Sequence, residues 1–501
     1  MNPDFQRLHP LTIIVEAWRA VSRFIIVIAF LGFNILMGRG VGDTTELIFA
    51  GLGFLVVGSA LIRYFTFSFA IHQGSLLVKQ GLITKQARTI PLARIQNINL
   101  KRDLIHRILG LVDLEIETAG GAKAEAILSA VTEDQAHELK QRLLGRYEAT
   151  SSALIEARRE EVIYQATPRE LFLAGATENR LFIMVASVFG IVATFPGFMD
   201  SITDFIEAAV KGAAQTAGRS PNDWLLWGIL GFIAIAFGWV ASIVTTFVSY
   251  WGFEVAWRDG SFRRHYGLLN QFENVVPARR IQSARMTDNI FQRMLKVSKL
   301  YLDTAGGFSQ ANGNEGQQSA RPTPLMAPLI DAEGAQKILV RVFPSYLPTE
   351  EGWHMPPVKM IWRSLYSTFI PALIISAPVA WFFQYWAIAA FFGVFALSAL
   401  SAWIERPGTG WLDDGERILV RKGRIWRTLH IAPIQKLQMA ELTQTPAQKR
   451  FGLATVRFST ASMSGSGTLS VADIPTEEAR SLVWDLHRRS GLDAWKNPDG
   501  L

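Results

Sequence analysis

Six stretches of the chain carry no Asp, Glu, Lys, Arg or His, and they fall in three pairs: Phe24 to Met37 with Leu47 to Ile62, Leu181 to Met199 with Trp224 to Phe253, and Leu365 to Phe383 with Trp386 to Ile404. Crossing a hydrocarbon layer ~30 Å thick as helix takes about 20 apolar residues, so each pair predicts a membrane hairpin. After each pair the pattern changes to period two. Leu114-Glu115-Ile116-Glu117-Thr118, Leu300-Tyr301-Leu302-Asp303-Thr304 and Val456-Arg457-Phe458-Ser459-Thr460 alternate apolar with polar, the mark of half-buried strands. Each of these regions closes on a helix. Thr132-Glu133-Asp134-Gln135 and Thr476-Glu477-Glu478 carry N-cap signals, and Asp331 is the expected cap of the middle one. Before each hairpin runs an amphipathic stretch headed by Pro10, Pro168 or Pro357, because Pro is pre-set for the first turn of a helix.

The three regions that follow the hairpins are copies of one unit. Gly81, Gly267 and Gly423 each stand 15 residues before Gln96, Gln282 and Gln438, and each Gln stands 22 residues before Thr118, Thr304 and Thr460. A basic residue, a branched aliphatic and Gln recur as Arg94-Ile95-Gln96, Arg280-Ile281-Gln282 and Lys436-Leu437-Gln438. Further on come Ile105-His106-Arg107, Phe291-Gln292-Arg293 and Ala447-Gln448-Lys449 in the same register. The unit is elbow helix, hairpin of two spans, then a small soluble domain of six or seven short strands ending in one helix. The middle copy has an insert from Phe308 to Thr323, rich in Gln, Asn, Gly and Ser, which reads as a mobile surface loop.

Charge sets the orientation. Of 50 Lys and Arg, only Arg39, Lys211 and Arg219 lie in the loops inside the pairs, so the positive-inside rule puts both termini and all three soluble domains in the cytoplasm. The first span reads as an uncleaved anchor, since Gly38-Arg39-Gly40 offers no small-x-small cleavage site. The net charge of +7 suits surfaces that lie beside anionic phosphates, and the absence of Cys excludes disulfides, thiolate metal sites and a Cys nucleophile. No Walker loop, nucleophile elbow or zinc-binding His pair occurs, so no catalytic residue, cofactor or metal is expected, and no nucleic-acid partner.

With Gly, then basic-aliphatic-Gln, then Thr-Ala repeated three times behind span pairs, the chain resembles the bacterial pleckstrin-homology (PH) membrane proteins of the YdbT-like family. The resemblance covers nearly the whole chain. It implies an α+β membrane protein of the bacterial inner membrane, with six transmembrane helices in three hairpins. Each hairpin is followed by a cytoplasmic PH-like β-sandwich or barrel with a C-terminal helix. The corresponding division is an N-terminal amphipathic helix 1–23, hairpins 24–62, 181–250 and 365–404, PH-like domains 63–147, 251–345 and 405–490, linkers with elbow helices 148–180 and 346–364, and a tail 491–501. PH-like domains elsewhere bind inositol phosphates through basic residues on the first hairpin. The matching positions here include Arg421, Lys422, Arg424 and Arg427, and together with Arg94, Arg280 and Lys436 they are the candidate contacts for lipid or a protein partner. The expected function is a non-catalytic membrane scaffold whose domains bind each other, an unidentified partner protein or anionic headgroups. A transporter or a subunit of a transport or envelope complex is the alternative, although the spans offer few of the ionisable groups that solute pathways use.

Overall fold

A computed structural model describes residues 5–23, 58, 60–62, 64–81, 85–118, 126–143, 161–178, scattered positions within 207–218, and 224–304, 325–344, 351–383, 386–461 and 468–491. The first hairpin before residue 58, the expected span Leu181 to Met199 and the insert Phe308 to Thr323 lie outside the described residues.

Each soluble unit is a sandwich of two antiparallel sheets. In the first, β1 (Gln6–Arg7), β2 (Ser68–His72), β3 (Ser75–Gln80) and β4 (Gln86–Pro91) form one sheet, and β5 (Ile95–Arg102), β6 (Leu111–Thr118) and β7 (Ala126–Thr132) begin the other, closed by helix Glu133–Leu143. The second runs β8 (Glu161–Gln165), β9 (Glu254–Arg258), β10 (Ser261–Tyr266), β11 (Gln271–Pro277), then β12 (Ile281–Asn289), β13 (Val297–Thr304), β14 (Leu325–Asp331) and helix Ala332–Val342. In the third are β15 (Gly410–Asp413), β16 (Arg417–Lys422), β17 (Trp426–Pro433), then β18 (Leu437–Thr443), β19 (Leu453–Thr460), β20 (Thr468–Pro475) and helix Thr476–Ser490.

The repeated residues have repeated geometry. Gly81, Gly267 and Gly423 have φ of +97°, +108° and +79°, a conformation that glycine adopts without penalty. Between the two sheets of each domain a 3-10 turn follows Pro91, Pro277 or Pro433, and its last residue is Arg94, Arg280 or Lys436. Gln96, Gln282 and Gln438 each sit in a β-bulge, where the strand turns from one sheet into the other, and Thr118, Thr304 and Thr460 end the partner strand opposite Ile95, Ile281 and Leu437. Asp331 caps its helix by accepting from Gly334 N at 2.8 Å.

One feature of the unit was hidden in the sequence. The segment before each elbow helix adds to the sandwich that follows the hairpin: β1 pairs β2, β8 pairs β9, and His354 bridges Trp411. The chain between each elbow helix and the sandwich is therefore an excursion between two paired pieces of one domain. In the third unit the elbow and first span are one continuous helix, Lys359–Phe383.

Among the described residues, two helices, Lys359–Ala377 and Trp386–Gly408, are long and apolar enough to cross a membrane. A third long helix, Trp224–Tyr250, carries no charge. Their apolar side chains face outward, with Ile370, Ile374, Phe392 and Leu397 about two-thirds exposed. Such a surface is unfavourable in water and suits hydrocarbon. Within the third hairpin, Ser398 Oγ lies 3.0 Å from Ser364 Oγ and 2.8 Å from Thr368 Oγ1, a polar clip between two helices otherwise joined by apolar contact.

The first and third sandwiches have separate cores, around Leu114, Ile116 and Leu128 and around Val456, Phe458 and Leu486. The middle core does not stop at its own boundary. Leu412, Leu419 and Ile431 of the third domain belong to the cluster of Phe253, Phe262 and Leu300, so the outer face of β15 to β17 is part of the second domain's interior. Burying each of these side chains contributes roughly 1.5–3 kcal/mol.

Candidate functional site: elbow latches and sheet junctions

A short helix follows the first strand of each second sheet: Leu104–Leu109, Ile290–Met294 and Pro446–Phe451. Asp103, Asn289 and Thr445 are their N-caps, each accepting from the backbone N–H three residues on. That third residue is His106, Gln292 or Gln448, and all three side chains are buried. Each reaches the group that ties the elbow helix to the sandwich.

In the first domain His106 stands between two carboxylates, with Nδ1 2.6 Å from Asp103 Oδ1 and Nε2 2.9 Å from Asp113 Oδ1. Burial opposes charge on the ring. The hydrogen bonds to Asp103 and Asp113 outweigh it and raise the pKa to about 9, so both nitrogens donate. Burial likewise opposes ionisation of Asp103, and the bonds from His106 still bring it down to about 2. Arg19 of the elbow helix Thr12–Arg23 pairs with the other oxygen of Asp113 and with Glu16 at 3.0 Å. Val15, on the same helix, packs against Leu111 and Ala130.

The second latch has the opposite polarity. Glu178, at the end of elbow helix Pro168–Thr177, pairs with Lys299 of β13 and accepts from Thr246 Oγ1 of the long apolar helix Trp224–Tyr250 at 3.3 Å. Asn289 Nδ2 donates to Thr177 O at 2.6 Å and Gln292 Nε2 to Thr177 Oγ1 at 3.1 Å. Helix Trp224–Tyr250 caps the free carbonyls of the elbow: Ser242 Oγ donates to Gly175 O and Trp239 Nε1 to Ala176 O. A Cβ at Gly175 would lie 2.7 Å from Ile243 Cα, so the two helices cross at backbone contact.

In the third latch Arg363 donates to Asp473 of β20 at 2.5 Å, and Gln448 Nε2 donates to Asp473 Oδ1 at 3.0 Å and Thr455 Oγ1 at 2.7 Å. The offsets that superpose the repeated glycines also superpose Asp113, Lys299 and Thr455. In the first two units the elbow supplies the charge complementary to this strand position; in the third the position is neutral Thr455, and the elbow's Arg363 pairs instead with Asp473 of the next strand.

The domains are joined edge to edge. β11 pairs β5, aligning Gln271 with Arg102 and Glu273 with Leu100, and a seven-stranded sheet results. β17 pairs β12 in the equivalent register, from Ala284 with Ile431 to Asn289 with Trp426, and gives a six-stranded sheet. The short-helix arginines cross both junctions alike: Arg107 donates to Leu268 O and Arg293 to Arg424 O, each at 2.8 Å.

The candidate basic residues divide accordingly. Arg427 shares Asp288 with Arg293, at 2.7 and 2.9 Å, and Lys436 donates to Ile281 O, so both bind across the second junction. Arg421 stacks on Trp353 at 4.6 Å and donates to Pro407 O. Lys422 donates to Ser470 Oγ at 2.8 Å, and burial lowers its pKa. Burial and the neighbouring Arg279 lower that of Arg280. Arg94 and Arg424 are exposed.

The bacterial PH domain family description matches three segments, residues 22–147, 188–342 and 366–489. The chain belongs to the bacterial PH domain family. It is also 24% identical over 504 residues to the UPF0699 transmembrane protein YdbT of Bacillus subtilis strain 168, covering 96% of this chain and 98% of that protein. No solved structure matches. Each of the three bacterial PH domain repeats holds the sandwich side of one latch, and the elbow residues Arg19, Glu178 and Arg363 stand just before the matched segments. Their central residues, His106, Gln292 and Gln448, stand in the aligned runs of the sequence, but unlike residue types at the partner position conceal their shared role. A buried polar residue recurring among apolar neighbours was the available signal.

Proposed function

We propose that the protein is a non-catalytic integral membrane scaffold of the bacterial inner membrane, with six spans, both termini inside, and three PH-like domains on the cytoplasmic face. The observation that carries this reading is mechanical: the sandwiches share two continuous sheets, and each is latched by buried polar groups to its own elbow helix. Hairpins and domains then form one rigid body, suited to holding partner proteins at a fixed orientation.

A contact with anionic lipid is supported by the edge where the elbows attach. Phe291, Met294 and Ile108 on the short helices and Ile425 and Trp426 in the turn bonded to Arg293 are large, apolar and exposed, with Arg424 beside them. Apolar tips next to cations suit the headgroup boundary, where each nearby Lys or Arg adds about 1 kcal/mol on an anionic leaflet. The test is native mass spectrometry of the full chain from mixed-lipid nanodiscs. Retained lipid should be enriched in phosphatidylglycerol, and the enrichment should fall in a Phe291→Ser/Arg424→Gln/Trp426→Ser variant. Equal lipid compositions would reject the contact.

A further inference from the structure

Within the chain the same two strand edges meet twice: the last strand of one first sheet pairs with the first strand of the preceding domain's second sheet, as β11 on β5 and β17 on β12. Each domain therefore offers one edge of each kind, and a row of three uses two of each. Among the described residues, β4 of the first domain is the end strand of its sheet and β18 of the third is the end strand of its own. These are the edges that the two internal junctions cover in the other domains. An uncovered edge of this kind is a template for another strand. Gln86 to Thr89 of β4 are exposed, and so are Gln438 and Met439 of β18.

We propose that β18 of one copy pairs antiparallel with β4 of a second copy, extending the head-to-tail row from chain to chain. Transferring the internal register fixes the alignment. Ala284 with Ile431 and Thr287 with Thr428 become Ala440 with Thr89 and Thr443 with Gln86. Of the two pairs between them, Arg285 with His430 inside the chain becomes Glu441 opposite Arg88. Opposite charges directly across a strand pair are favourable, and of the three equivalent pairings only this one carries them, Arg88 there adding to Arg457, which already faces Glu441 within the chain at 3.8 Å. Exposed Lys449 stands where Arg107 and Arg293 reach the next domain, and exposed Arg94 stands where Lys436 reaches the preceding one.

The inference shares one premise with the scaffold reading, that the hairpins lie in one bilayer. Since every domain is latched to its hairpin, the step between domains must keep the membrane plane. A head-to-tail interface under that constraint builds a planar arc or closes into a ring.

The absence of native Cys makes the test clean. Two differently tagged full-length chains are co-expressed, one carrying Thr443→Cys and the other Gln86→Cys, and the membranes are mildly oxidised. A disulfide between the two tags is expected, because direct cross-strand Cβ separations suit the bond. The offset pair Met439→Cys with Gln86→Cys should not form it. Arg88→Glu should lower the yield about tenfold and Glu441→Arg on the other chain should restore it. Absence of the in-register product, equal products from both pairs, or a single copy by native mass in nanodiscs would each overturn the proposal. Those results leave the arrangement inside one chain unaffected, so failure here is distinct from failure of the scaffold reading.

Discussion

Replacing His106 by Gln puts into the first domain the residue that the second and third use at that position. The surroundings make the outcome unfavourable. Gln292 and Gln448 meet Thr177 and a shared Asp473, whereas His106 bridges two carboxylates, Asp103 and Asp113, and with Arg19 balances their charge. A pKa raised from 6.5 to about 9 corresponds to about 3 kcal/mol of preference for the charged ring in the folded state. For a group whose folded pKa is raised, this stability is fully present below pH 6.5 and is lost as pH rises through 9. Asp103, held at about 2, behaves in the opposite sense: its contribution is present above pH 4 and is lost as pH falls through 2. The latch is therefore strongest between about pH 4 and 6.5. Hydrogen–deuterium exchange of the full chain in nanodiscs, corrected for intrinsic rates, reads the elbow helix Thr12–Arg23 and the short helix Leu104–Leu109. At pH 6.5 His106→Gln should lower their protection by about two orders of magnitude and leave the third domain unchanged. Wild-type protection should fall between pH 7 and 9.5. Unchanged protection in the variant, or a flat wild-type profile across that window, would refute the charged-latch argument.

Other outcomes follow from the same geometry. Lys299→Glu should release the second elbow, read as faster exchange in Pro168–Thr177, and the added change Glu178→Lys should recover most of it; equal exchange in the single and double variants would contradict the ion-pair assignment. At Gly423 a Cβ would lie 2.1 Å from Trp426 O at positive φ, so Gly423→Ala should cost about 1–3 kcal/mol and lower the unfolding midpoint, while an unchanged midpoint would deny the turn its constraint. Asp288→Ala removes the shared partner of two partly exposed arginines and should weaken the second junction by about 2 kcal/mol, seen as increased exchange in β17. For topology, Gln215→Cys should react with an impermeant thiol reagent on intact cells and Ser309→Cys should not; the reverse labelling would invert the orientation.

Local patterns made the repeats legible, because a positive-φ turn selects Gly and a half-buried strand alternates whatever its partner. Gly81, Gly267 and Gly423 and the closing threonines accordingly occupy equivalent places. Tertiary pairing left no such mark. Nothing in Gln6–Arg7 or Glu161–Gln165 says that a strand lies ahead of the elbow, since its partner comes only after the hairpin. The junctions were hidden for the same reason: β5 and β12 are ordinary alternating strands, and which edge covers them depends on the next domain. The basic hairpin of the third copy was legible as charge but not as geometry. Asp288, which holds Arg427, belongs to another domain. The latch leaves no repeated residue pattern, because the charged partner changes sign from Asp113 to Lys299 and in the third unit moves to Asp473 on the next strand.

If three PH domains and their hairpins move as one body, a distance across the whole row stays fixed. Spin labels on cysteines replacing exposed Asp134, in the closing helix of the first domain, and Glu477, in that of the third, can be measured by double electron–electron resonance in nanodiscs. One narrow distance distribution is expected, broadening when Asp288→Ala is added. A broad or multi-peaked distribution in the otherwise unaltered chain would contradict it.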